Sequence, residues 1–307
     1  MARAPKRVDV SACLSDRRLI GFFLYVAVLS LALCVPLVAL ARYALTKELA
    51  SHIVLIPLVS FYLAALKLDS LPRERRGSMA GAVVFAVGAA AVFFGPALTD
   101  AAAWSRNDAM AQFAACYVLL LVAGGFLFLG TSWMRLLAFP FALLVFMVPL
   151  PDIVVVTVED FLMRASASLA QELFQWTGTP VFRAGQNIEL PGMSLEVARN
   201  CSGIRSSLVL LITSLIASYL FLSSSWHRSL LVAMVIPLGI LRNAIRVLVI
   251  GLLCVHRGPH MIHSWIHHKG GFVFFAVSLA PLFLLAAWFR HREMKALGNA
   301  NPRDKTR

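Results

Sequence analysis

The feature that most constrains this chain is a succession of apolar runs, each near the length needed to cross a lipid bilayer. A transmembrane helix takes about 20 mostly apolar residues to span roughly 30 Å of hydrocarbon. Runs close to that length recur at 19–41, 52–66, 79–98, 111–129, 133–148, 202–222, 229–254 and 270–289. A soluble domain has one core to fill and no place for eight such runs. Composition agrees: the 307 residues are 60% hydrophobic and 14% charged, with a mean hydropathy of +0.79. In hydrocarbon every backbone N–H and C=O must be satisfied internally, which leaves helices as the spanning element. The expectation is an all-α polytopic membrane protein of about eight transmembrane helices.

The net charge of +13 is read as topology. Lys and Arg lie in tails and short loops, not in a stripe on one face, so a nucleic-acid partner is not expected. With both termini cytoplasmic, the inner segments hold about twice as many Lys and Arg as the outer ones, as the positive-inside rule requires. This gives a basic cytoplasmic tail at 1–18, a five-helix membrane region at 19–150, an extracytoplasmic segment at 151–200, a three-helix membrane region at 201–289 and a second basic tail at 290–307. The N-terminal residues do not show the pattern of a cleavable signal peptide. The third run is rich in Ala and Gly, which suits close helix packing in lipid.

The segment 152–200 is too polar to be a simple span. Over 157–177, Val158, Phe161, Leu162, Ala165, Leu169, Leu173 and Trp176 recur at helical spacing, with Glu159, Asp160, Arg164 and Glu172 opposite. This predicts an amphipathic helix on the membrane surface. After it, 187–190 and 193–197 alternate apolar and polar residues about Pro191-Gly192, which reads as a hairpin. The hairpin delivers the chain to Cys201 at the outer end of span six.

Five cysteines, Cys13, Cys34, Cys116, Cys201 and Cys254, form no CxxC pair and no metal spacing. Four look like ordinary small residues. Cys201, in Leu195–Arg205, stands at a boundary between polar and apolar sequence. Arg242 and Arg246 lie inside span seven, where a guanidinium is expensive and calls for a function or a partner. They are four apart and share a face. One reading makes one of them catalytic and the other structural, with Glu196 as a candidate carboxylate partner. The topology brings Cys201, Arg246 and His267 to the outer face, with Arg246 roughly 12 Å below a helix end at Cys254. A thiol, an imidazole and a cation suffice for acyl transfer: the thiolate attacks a carbonyl, the imidazole moves a proton, and the cation or backbone N–H groups hold the oxyanion.

Two other readings remain open. Intramembrane Arg242 and Arg246 suit a transporter for an anionic substrate, although the halves show no repeat. His256, His260, His263 and His267 are spaced four, three and four, as metal ligands on one helical face would be. Gly258-Pro259 interrupts that helix, and no carboxylate lies in the loop. No cofactor and no metal are expected on the leading reading.

Three short blocks carry a resemblance. Cys201-Ser202-Gly203-Ile204-Arg205, then Asn243-Ala244-Ile245-Arg246, then His267 with Gly271 four later, resemble the signature blocks of the exosortase/archaeosortase family. Val148-Pro149-Leu150-Pro151, Gly178-Thr179-Pro180-Val181 and Ile188-Glu189-Leu190-Pro191-Gly192 resemble the approach to the Cys block, and His52 resembles a recurring Ser-His before span two. The resemblance implies an integral plasma (inner) membrane cysteine peptidase and transpeptidase. Its expected partners are the lipid bilayer and exported proteins bearing a C-terminal sorting signal, which it cleaves and passes to an acceptor, with a link to exopolysaccharide as one reading. It implies Cys201 as nucleophile, Arg246 as oxyanion stabiliser and His267 as acid/base. His268 is adjacent, but His267 keeps the spacing to Gly271. Ala198-Arg199-Asn200 departs from the acidic or small residues that often precede the Cys in the family.

Overall fold

The computed structural model describes residues 17–68, 77–95, 105–191, 193–196, 203–258, 260 and 271–299. The chain divides into two units, Met1–Val154 and Val155–Arg307. Among the described residues, five helical stretches are long and apolar enough to cross a membrane, or up to seven if two bent pairs each count as one span. Met79–Phe94 is a shorter apolar helix. The all-α polytopic fold is thus present, while the described residues do not confirm the count of eight.

In the first unit, α1 (Arg17–Ala32) and α2 (Cys34–Thr46) meet at Leu33 with a 78° bend. The run expected as one straight span at 19–41 is therefore broken. Pro36 is the third residue of α2. It has no N–H to give to the carbonyl four residues back, so a proline is tolerated in the first turn of a helix and costly in its interior. After α3 (Leu55–Ala65) and α4 (Met79–Phe94) comes α5 (Arg106–Gly124), continued by a π-helical segment, Gly125–Leu129. Both α4 and α5 have serine caps: the Ser78 Oγ accepts from Gly81 N at 3.3 Å and the Ser105 Oγ from Asp108 N at 3.0 Å.

The Ala- and Gly-rich α4 packs along α5 as its composition predicts. Cys116 Sγ donates to Ala89 O at 3.5 Å, and Gln112 Nε2 donates to the last carbonyls of α4, Val92 O at 3.0 Å and Phe93 O at 2.8 Å. At Gly130 φ turns to 81°, a conformation that suits glycine. Beyond it lie α6 (Gly130–Leu136) and α7 (Ala138–Leu143). The Phe141 ring returns against Gly125, where an added Cβ would sit 3.2 Å from its Cζ. A straight helix would separate these residues by about 24 Å. The chain therefore reverses between the fourth and fifth expected spans. Leu19, Leu129, Trp133 and Leu137 form a buried cluster in this unit.

α8 (Asp152–Trp176) runs into the second unit. The expected hairpin is part of a three-stranded antiparallel sheet: β1 (Phe182–Ala184), β2 (Asn187–Leu190) and β3 (Met193–Glu196). Leu190 pairs with Met193 across the predicted turn. Then follow α9 (Ile204–Phe221), α10 (Ser225–Ala233), α11 (Val235–Arg257) and α12 (Gly271–Asn299). The expected span at 229–254 starts afresh after Met234, where Pro237 is again the third residue of the new helix.

The buried face of α8 is only partly the stripe read from the sequence: Leu162 is buried, and Leu169 and Leu173 pack against the core. Met163, Ala167, Ala170 and Phe174 are buried, whereas Phe161 and Trp176 are exposed. The reason is close packing on α11. Phe174 fills the space left by Gly251, where a Cβ would lie 2.4 Å from its ring, and Ala167 and Ala170 are buried in the same cluster. Ile188 and Leu190 of β2 close the same cluster against Ala244, Val247, Ile250 and Cys254. A second cluster joins Leu210 of α9, Leu231 of α10, Val235 of α11 and Leu282, Ala286 and Phe289 of α12. At that end the Glu293 carboxylate accepts from Ser223 N at 2.8 Å and Ser224 N at 3.0 Å and lies 2.7 Å from His227 Nδ1. It thus satisfies donors ahead of α10 that the helix itself leaves open.

Candidate functional site

The start of α9 is a left-handed glycine. Gly203 has φ 72° and caps the helix without a side chain. Its carbonyl is heavily used: it accepts from Ser207 N at 2.9 Å, Ser206 Oγ at 3.0 Å and Arg242 Nη2 at 3.2 Å. Arg242 Nη2 also donates to Ser207 Oγ at 3.3 Å. Arg242 therefore pins the entry of α9 through one carbonyl and one hydroxyl, where a carboxylate had been the expected kind of partner.

Space around the glycine is equally specific. A Cβ on Gly203 would fall 2.8 Å from Arg242 Nη2 and 3.7 Å from Asn243 Cγ and Oδ1. A Cβ on Gly239 would fall 2.8 Å from Ser207 Oγ. Two small residues thus let the polar side chains of α9 and α11 reach across the interface. Ser207 faces Gly239, and Gly203 faces Arg242 and Asn243, so the two helices run antiparallel here.

Arg242 is 8% exposed and Asn243 2%. Arg242 Nη1 and Asn243 Nδ2 are buried and have no hydrogen-bond partner among the described residues. Buried donors of this kind are costly unless something accepts from them. A guanidinium and an amide with unused N–H groups beside a left-handed glycine form a donor cradle of the sort that binds a carbonyl or an oxyanion.

Of the three residues expected to form the site, Arg246 is described and the other two, Cys201 and His267, lie outside the described residues, as do His263 and His268. Arg246 is half-buried on α11, one turn beyond Arg242 in the direction of the helix C-terminus. That is about 6 Å further along the axis. In the antiparallel register this is also beyond the level of Gly203, on the side from which the chain enters α9. α11 runs to Arg257, three residues past the expected end, and closes at Gly258 with φ 103°. Arg246 is thus about 16 Å from the helix end, not 12 Å. His256 belongs to the last turn of α11, and the break at Gly258 separates it from His260. These two imidazoles do not share a continuous helical face. Among the described residues no group of three or more His, Cys, Asp or Glu is placed to hold a metal.

Sequence reasoning singled out Arg242 as a buried cation but did not assign Asn243 or Ser207 a place in the site. The signal for Asn243 was present: it is an amide within an apolar run, next to an arginine. Ser207 carried no signal, because a serine in a membrane helix ordinarily bonds its own backbone.

Comparison with known proteins shows the family of the chain. The sequence model of one family, described as transmembrane exosortase (Exosortase_EpsH), matches residues 44–284, well over half of the chain. No curated protein and no solved structure matches.

Proposed function

The chain belongs to the transmembrane exosortase family, and from that premise we propose that it is a thiol-dependent transpeptidase that cleaves exported proteins at a C-terminal sorting signal. Family membership makes it an integral multi-pass membrane enzyme of the peptidase/transpeptidase kind acting on exported proteins. The finer assignments rest on the site. Cys201 is the nucleophile, Arg246 holds the oxyanion and His267 moves the proton.

The observation that carries this reading is the register of α9 against α11. It sets a buried guanidinium and a buried amide at Gly203 and directs Arg246 beyond it. Cys201 is joined to Gly203 through a single residue, so chain length keeps their Cα atoms within about 7 Å. That short connection supports a nucleophile near the donors beside Gly203.

The chemistry proceeds in two halves. The Cys201 thiolate adds to the carbonyl carbon of the scissile peptide bond, and the carbonyl oxygen takes the negative charge. Arg246, with the donors beside Gly203, stabilises that charge. The C–N bond breaks, the leaving amine takes a proton from the His267 imidazolium, and a thioester remains on Cys201. An acceptor nucleophile then gives its proton to His267 and attacks the thioester, which releases the thiolate. A substrate held by its own transmembrane helix offers its peptide bond at the membrane surface. The excess of Lys and Arg on the opposite side supports an extracytoplasmic site, with both termini in the cytoplasm.

The test is an epitope-tagged exported protein carrying its native C-terminal membrane segment, co-expressed with the wild type or with Cys201→Ala. A shortened product should appear with the wild type alone. Equal processing in both strains overturns the nucleophile assignment.

A further inference from the structure

The first unit carries a groove that changes character along its length. Between α2, α4 and α5 a cavity of about 560 Å³ is lined by Leu37, Leu40, Ala86, Phe93 and Met110. Beside it a second cavity, about 990 Å³, is lined by Arg42, Lys47, Arg106, Asn107 and Asp152. Ala39 and Arg106 line both, so they are adjoining parts of one groove. Its first part lies within the volume range of small-molecule sites.

The polar part is electrostatically unbalanced. Arg42, Lys47 and Arg106 are exposed, and their side chains make no ion pair or hydrogen bond among the described residues. The one carboxylate in the lining, Asp152, is engaged by Asn107 Nδ2 at 2.7 Å. Asn107 is itself held by Tyr43 Oη, which donates to its Oδ1 at 2.8 Å, and it also donates to Leu150 O at 2.7 Å. Asp152 N donates to Asp108 Oδ1 at 3.0 Å. Asp152 is thus held in a hydrogen-bonded frame, and the lining carries three cations against its one carboxylate, a net positive charge.

We propose that this groove binds one phospholipid with a net anionic head, its acyl chain between α2, α4 and α5 and its phosphate among Arg42, Lys47 and Arg106. A purely apolar occupant would leave three cations without counter-charge. A soluble anion would leave the apolar part unfilled. A molecule with both ends satisfies both parts. Each Lys or Arg near a membrane anion contributes about fivefold to affinity, so a net excess of two cations over Asp152 favours an anionic over a zwitterionic head by on the order of 25-fold.

The test uses the full chain in nanodiscs of equal phosphatidylcholine and phosphatidylglycerol. The protein is then taken into mild detergent, and the retained lipid is identified by mass spectrometry. Phosphatidylglycerol should be strongly enriched over the input ratio, at about one molecule per chain. Arg42→Gln/Lys47→Gln/Arg106→Gln should lose the enrichment. Ala86→Trp, which fills the apolar part and leaves the cations, should lose the retained lipid. Arg290→Gln/Arg292→Gln, which removes two cations from α12, should keep it. Should the triple variant fail to insert, Arg106→Gln with Ala86→Trp carries the test. Retention of both lipids in the input ratio overturns the proposal. So does unchanged enrichment in the groove variants, or equal loss in the α12 variant.

Discussion

Replacing Arg242 by methionine tests whether the guanidinium that pins the entry of α9 serves the reaction or only the fold. Methionine keeps most of the volume and loses both hydrogen bonds. A bond to a charged donor is worth about 1.5–3 kcal/mol, but removing this donor leaves no orphan. Gly203 O still accepts from Ser207 N and Ser206 Oγ, and Ser207 Oγ can turn to its own helix. The variant is also relieved of burying a charge that is 8% exposed, so stability should change by about 1 kcal/mol or less.

Function should change more. Arg242 Nη2 is 3.2 Å from Gly203 O, and the chain keeps Cys201 within about 7 Å of that residue. A unit charge about 10 Å from a thiolate, at an effective dielectric of 20, is worth about 1.7 kcal/mol, or roughly one order of magnitude in thiolate population. The assay is the rate of Cys201 alkylation by iodoacetamide at neutral pH, beside the melting temperature. Alkylation about tenfold slower with a melting temperature within a few degrees of the wild type supports an electrostatic role of the guanidinium in the reaction, and Arg242→Lys should recover part of the rate. Unchanged alkylation and processing in Arg242→Met would refute the reasoning.

Three further outcomes follow from the same contacts. Gly203→Ala forces a side chain into φ 72° and against Arg242 Nη2 at 2.8 Å; a cost of roughly 1–2 kcal/mol from the backbone alone should lower the melting temperature and reduce substrate processing together. Phe174→Ala empties the contact between α8 and α11 at a residue with no exposure, so thermal unfolding should show a loss of about 3–5 kcal/mol in a protein whose alkylation chemistry is otherwise intact. Processing should continue in the presence of a strong chelator and stop on thiol alkylation; the reverse pattern would favour a metal site built from the histidines.

Much of the architecture was legible because bilayer length and hydropathy are strong signals. The bends were less so, although each had a mark. Pro36, Pro140 and Pro237 each stand third in a new helix, whereas Pro281 lies inside α12, which continues through it. Proline thus flags a possible break, and packing decides whether one occurs. The buried face of α8 was partly legible, in Leu162, Leu169 and Leu173, but hydrophobicity alone also favoured the exposed Phe161 and Trp176. What won was fit, with Phe174 filling the space at Gly251. At the site, Arg242 and Arg246 stood out as charges in an apolar run. Their division of labour did not, because it depends on helix register: Arg242 meets Gly203 and Ser207, and Arg246 lies a turn further on. Strand β1 was missed since Phe182–Ala184 is too short to alternate visibly.

The central claim is that Cys201 carries the acyl group. It is tested most directly by incubating purified enzyme with a tagged substrate, without acceptor, and digesting for peptide mass spectrometry. The account predicts a hydroxylamine-labile acyl adduct on the Cys201 peptide of the wild type and none in Cys201→Ala. Full processing by Cys201→Ala, or an adduct on any other residue, would contradict it.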